Sequence, residues 1–180
     1  KTLTPDASKS GCVLSDGSYV QTGSTSCFAG DHSANKGYRG FLTFDLSTLP
    51  AGADITDVKL DLTSSTITGD PFGGLGIMYV EQVRYGNTLD KNDYSIPSVK
   101  YLLGYSGKPT IPVSGTITDA LKNELSLGYT RFQVRVRFAK TSDNDGKYDW
   151  IRFTSPKLTI TYTTGVTSAT LQTDKSTYPP

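Results

Sequence analysis

The chain has 180 residues, enough to bury a β-sandwich core without a metal or a set of disulfides, and one domain with tails is the expectation. Lys plus Arg number 18 and Asp plus Glu 17, so a formal charge of +1 offers no global field to nucleic acid or to an anionic membrane. No apolar run approaches the roughly 20 residues that span a bilayer, so neither nucleic-acid binding nor membrane insertion is expected.

The chain starts at Lys1, with nothing resembling a signal sequence, which fits a mature exported product. Cys12 and Cys27 flank a stretch rich in Gly, Ser and Thr. A bridge across a loop of about 15 residues contributes on the order of 3 kcal/mol by restricting the unfolded chain. A Cys12–Cys27 disulfide is therefore expected, and with it an extracellular or cell-surface setting. The alternative is two free thiols in a reducing compartment. With no CxxC spacing and one histidine, His32, a zinc pattern is not present.

Abundant Thr, Ser and Gly, with 11 Tyr, 7 Phe and a mean hydropathy of −0.32, suit exposed antiparallel sheets. Tyr38, Gly40, Leu42, Phe44 and Leu46 alternate with Arg39, Thr43 and Asp45 in a first strong strand. Leu49-Pro50-Ala51-Gly52 reads as a turn, and Val58, Leu60 and Leu62 alternate with Lys59, Asp61 and Thr63 beyond it. The Gly- and Pro-rich run 69–74 breaks the chain before a strand over 76–85, and residues 86–112 read as a long excursion with at most short strands.

Ile117, Ala120, Leu121 and Leu125 have helical spacing, with Thr118 as candidate N-cap and Gly128 as terminator, predicting a short helix over 117–126. Phe132, Val134, Val136 and Phe138 then alternate with Arg131, Gln133, Arg135 and Arg137. Trp150, Ile151 and Phe153 lie in a short strand, and Leu158, Ile160 and Tyr162 mark a last one. The fold expected is all-β, an antiparallel sandwich with one short helix. Its parts are an N-terminal segment (1–14), the sandwich (15–164) and a tail, linker or donor strand (165–180).

The segment 37–63, containing Phe-Asp-Leu-Ser-Thr-Leu-Pro-Ala-Gly-Ala-Asp-Ile and a strand ending Leu-Asp-Leu, resembles the opening of the DNRLRE-type domains, which overlap the family-96 carbohydrate-binding modules. The short helix before a strand and the closing Pro-Lys-Leu-Thr-Ile-Thr-Tyr-Thr (156–163) extend the resemblance to roughly residues 15–164. It implies a jelly-roll-like β-sandwich, secreted or at a cell surface, that binds carbohydrate in some members and is structural in others.

Several clusters carry candidate chemistry. Asp143, Asn144 and Asp145, followed by Gly146 and Asp149, offer oxygen ligands on a turn and suit Ca²⁺, although the same residues also make a plain hairpin loop. Arg131, Arg135 and Arg137 share a strand face that fits an acidic polysaccharide, a partner subunit, or carboxylates on a neighbouring strand such as Asp61. Tyr85, Tyr94, Tyr101 and Tyr105, in or beside the excursion, suit a stacking platform, an interface, or ordinary edge packing. With His32 placed in a polar loop, no G-x-S-x-G elbow and no carboxylate pair set by a motif, no enzyme activity is expected.

Two functions follow. One is an extracellular structural subunit that self-assembles with copies of itself into a filament or surface layer, a terminal segment, either 1–10 or 164–173 with Val166, Ala169 and Leu171, adding as a strand to a neighbour. The other is a carbohydrate-binding module of a secreted multidomain protein, holding a polysaccharide.

Overall fold

The alternating segments do become strands, and every strand pair is antiparallel. The structure is a computed structural model that describes residues 1–165, so Val166, Ala169 and Leu171 lie outside the described residues. In chain order the elements are β1 (Thr2–Leu3), β2 (Gly11–Leu14), β3 (Val20–Gln21), β4 (Cys27–His32), β5 (Lys36–Asp45), β6 (Ala53–Asp61) and β7 (Ser65–Thr68). There follow α1 (Pro71–Leu75), β8 (Met78–Gln82), β9 (Lys100–Tyr105), α2 (Thr116–Ser126), β10 (Arg131–Phe138), β11 (Asp149–Phe153) and β12 (Lys157–Thr164).

Two sheets make an all-β sandwich. The smaller has the order β1-β12-β6; the larger runs β7-β11-β4-β5-β10-β8-β9, with β2 also on β5 and β3 on β2. Between them lie Leu42, Phe44, Phe132, Val134, Val136, Val58, Leu60, Leu158 and Ile160, all fully buried. Each such side chain contributes about 1.5–3 kcal/mol on leaving water. The helix α2 adds Ile117, Ala120 and Leu121 to this core. Its N-cap is Gly115 with no side-chain bond, not Thr118, whose Oγ1 instead accepts the Val58 N–H at 2.9 Å.

The larger sheet is also covered on part of its outer face. Phe41 and Val13 meet Val83, Tyr85, Leu89 and Tyr94 in a second core, so the strand expected over 76–85 ends at Gln82 and the chain crosses back over the sheet. Part of the excursion is thus packed on the sheet, with a 3₁₀ turn at Lys91–Ser95 capped reciprocally by Asp90 and Asp93, and β9 lies within it.

The long β5 changes partners along its length. It pairs with β4 over Lys36–Tyr38, with β2 over Tyr38–Phe41 and with β10 over Gly40–Asp45. At Gly40 a side-chain carbon would stand 2.8 Å from Cys27 Sγ and 2.9 Å from the Phe28 carbonyl, so glycine is what lets β4 cross there. The expected Cys12–Cys27 bridge is not formed. Both cysteines are free and buried, Cys12 facing Gln21 Oε1 at 3.5 Å while Cys27 lies over Gly40.

Candidate functional site

The arginine face has internal partners. Glu81 on β8 is paired in register with Arg135, and its carboxylate takes Arg135 at 2.6 and 3.0 Å and Arg137 at 2.8 and 3.0 Å. Arg135 also donates to the Ile96 carbonyl at 2.7 Å and Arg131 to that of Gly86 at 3.0 Å. Neighbouring Arg39 donates to the Tyr94 carbonyl and lies 4.0 Å over its ring. These guanidinium groups pin the excursion to the sheet. Of the three partners open from sequence, the structure shows a carboxylate on a neighbouring strand for Arg135 and Arg137, and it is Glu81, not Asp61; these side chains are not a free ligand stripe. Burial pushes the Glu81 carboxyl up, but the bonds from Arg137 and Arg135 outweigh it and hold it below the usual range.

The four tyrosines do not form one platform. Tyr85 and Tyr94 belong to the second core, and the Tyr85 hydroxyl is engaged with Thr43 at 2.7 Å and the Lys9 carbonyl at 2.8 Å. Tyr101 is exposed on β9 against Tyr79, while Tyr105 packs against the main core, where burial raises its phenol to about 12.

A different aromatic group gathers on the outer face of β4, β5 and β11. The register Trp150–Gly30–Tyr38 crosses three strands, and the missing side chain at Gly30 lets the two rings come within 5.8 Å of each other. Two residues along β4 in either direction lie Phe28, 5.0 Å from Trp150, and His32, 5.9 Å from Tyr38. Tyr148 joins Trp150 and His32, each at 4.9 Å, and Tyr19 stands edge-on to Tyr38 at 6.0 Å. Tyr148 and Tyr19 are about 40% exposed and the other four rings partly so. Arg152 lies 5.4 Å over Phe28 at one margin.

The ring chemistry is settled by neighbours. The Ala34 N–H donates to His32 Nδ1 at 3.0 Å, which leaves the ring proton on Nε2, facing the Tyr148 hydroxyl at 3.5 Å. Burial, with smaller additions from Cys12, Tyr19 and Tyr148, pushes the Tyr38 phenol to about 12, so it remains a hydrogen-bond donor at neutral pH. His32 is therefore a strand-end residue in a stack, not a loop residue. Sequence reading grouped Trp150 with Ile151 and Phe153, although alternation places Trp150 outward and the other two in the core. The 28-30-32 and 148-150-152 alternations were visible; that β4 and β11 pair was not.

On the inner side of the same two strands, Asp149 and Asp31 are register partners and both are buried. Oxygens of Asp143, Asp145 and Asp149 lie within 4.8 Å of one another, while Asn144 occupies the turn with φ 65°. Asp31 Oδ2 accepts the Asp143 N–H at 3.3 Å, and Oδ1 is buried without a partner. Burial raises the Asp31 carboxyl above its ordinary value; hydrogen bonding from Ser142, Asp143 and His32 opposes the rise without cancelling it, and the charge of Asp143 adds to it. Asp31 was not singled out from sequence, since nothing local marks it.

A cleft of ≈ 500 Å³ lies between the β5–β6 turn and the end of α2, and its charged lining residues are Asp54 and Lys122. No helix among the described residues is long and apolar enough to cross a membrane. Fold and surface together define an antiparallel all-β sandwich whose larger sheet has one outer region sealed by the excursion and another lined with aromatic rings. Compared with models of known families and with characterised proteins, the chain matches none.

Proposed function

We propose that this chain is a non-catalytic, extracellular carbohydrate-binding domain, and that Tyr19, Phe28, His32, Tyr38, Tyr148 and Trp150 form its binding face. The observation that carries this is the continuous chain of rings on three paired strands. Sugar rings present apolar C–H faces edged by hydroxyls, and they fit aromatic faces flanked by donors and acceptors. Here the donors are His32 Nε2, the tyrosine hydroxyls and Arg152. Strands hold the rings at fixed spacing, so little ordering entropy is lost on binding. Residues 37–63 resemble DNRLRE-type domains, some of which bind carbohydrate while others are structural, and the reading agrees with the former.

The test is a glycan array followed by titration of hits. Trp150→Ala is expected to weaken binding tenfold or more, as loss of a central aromatic anchor does. An array without hits, or equal binding by the Trp150→Ala protein, would overturn the proposal.

A second reading, self-assembly, is favoured by β9. It ends the larger sheet, and Tyr101 on it, Val99 just before it and Ile77 just before the neighbouring β8 are all exposed large apolar residues. Such an edge invites strand addition by another copy. Polymers in light scattering that disappear with Tyr101→Lys would support it.

A further inference from the structure

We propose that Asp143, Asp145 and Asp149, backed by the buried Asp31, bind a divalent cation of the calcium class beside the β4–β11 pair. This stands whether or not the rings bind a glycan.

An acidic turn alone says little, because Asp and Asn are common in turns. What distinguishes this one is Asp31. Its side chain is fully buried, its Oδ2 is held by the Asp143 N–H, and its Oδ1 has no hydrogen-bond partner. Register puts Asp31 beside Asp149, which is 5% exposed, on the face that the Asp143 turn closes. A buried carboxylate oxygen without a partner is destabilising unless a cation or a proton meets it.

The basic side chains nearby do not meet it. Lys147 pairs with Asp145, the exposed member, at 3.1 Å, and Lys140 donates to the Gly74 carbonyl at 3.1 Å. Four carboxylates thus share one ammonium. The surroundings are also shaped to admit the carboxylates. A side-chain carbon at Gly74 would fall 2.3 Å from Asp143 Oδ2, and one at Gly69 would fall 2.2 Å from Asp149 Oδ1. Asp149 Oδ1 further accepts the Asp70 N–H, tying the start of α1 to the cluster.

An all-oxygen donor set selects a hard cation. Calcium binds oxygens at about 2.3–2.6 Å, so the ligands of one ion lie within about 5 Å of one another, as the oxygens of Asp143, Asp145 and Asp149 do. Water completes the shell on the exposed side, where Asp145 lies. The cation would join β4, β11, the 141–146 turn and the start of α1 directly behind the rings.

The test is calorimetric titration of the chelator-treated full chain with CaCl₂, alongside emission of Trp150, the sole tryptophan and the residue after Asp149. Saturable binding of one Ca²⁺ with a rise in Tm is expected. Asp31→Asn should lower affinity at least tenfold while melting in chelator no lower than the parent, and Asp143→Asn should lower affinity similarly. Should either variant fail to fold, the other decides. No saturable heat up to about 10 mM Ca²⁺, well beyond the roughly 0.1–1 mM range of extracellular calcium modules, would overturn the proposal. So would parental affinity in both variants.

Discussion

Cys12 and Cys27 show what a spacing can and cannot specify. Their separation suits a bridge, but bridging requires the Sγ atoms to face each other, and orientation depends on strands that meet only in the fold. Cys12 turns to Gln21 on β3, while Cys27 occupies the space left by Gly40. Burial pushes the Cys12 thiol up to about 11 and that of Cys27 further, with Cys12 adding to the effect. Since the thiolate is the reactive form, neither thiol should react with a disulfide reagent at about pH 8 in the native protein, and two should react on unfolding. Mass spectrometry after labelling counts them. A count of zero in denaturant would mean that the bridge exists and that these orientations are wrong.

At the scale of elements, the β10–β8 register governs how the excursion is held. Alternation along β10 displayed the arginines in the sequence, yet Glu81 lies 54 residues from Arg135, and no local pattern announces that distance. Replacing Glu81 by Gln leaves Arg135 buried without a counter-charge, a change that costs about 3–5 kcal/mol.

The pH dependence has a definite sign. The Glu81 carboxyl sits lower folded than unfolded, so its contribution is complete above the ordinary carboxylate range, about pH 4.3, and is lost as pH falls through the depressed value. Denaturant titrations should show Glu81→Gln most destabilised near neutrality, the gap to the parent narrowing in acid. Limited proteolysis should cut the Glu81→Gln protein earlier between residues 86 and 99, because Arg135 also holds the Ile96 carbonyl. Equal stability at neutral pH would show the triad to be dispensable.

Over the whole molecule, the sandwich was legible because alternation in β5, β6, β10 and β12 put large apolar side chains on one face, and those residues are the main core. The second core was not, because Phe41 falls on the face read as polar and its partners come from the excursion. The ring face needed β4–β11 pairing, which also lies beyond local pattern.

The first ten residues tie the two sheets together. Leu3 packs in the main core from β1, while Thr43 on β5 takes the Asp6 N–H on its carbonyl and donates its own N–H to Ser10 Oγ at 3.0 Å. Deleting residues 1–10 should lower stability by roughly 2–5 kcal/mol through lost apolar burial and an unpaired Thr43 N–H, measured by chemical denaturation. An unchanged midpoint would show that the segment merely rests on the surface.

β1 also fixes how the molecule meets mechanical load. Because Thr2 lies against Thr159 and Leu3 against Leu158, with the strands antiparallel, the chain leaves residue 1 and residue 164 in the same direction. Tension applied between those two points strains the β1–β12 hydrogen bonds one after another, not all together. The first strand therefore peels away at low force, long before the β5–β10 seam is stretched.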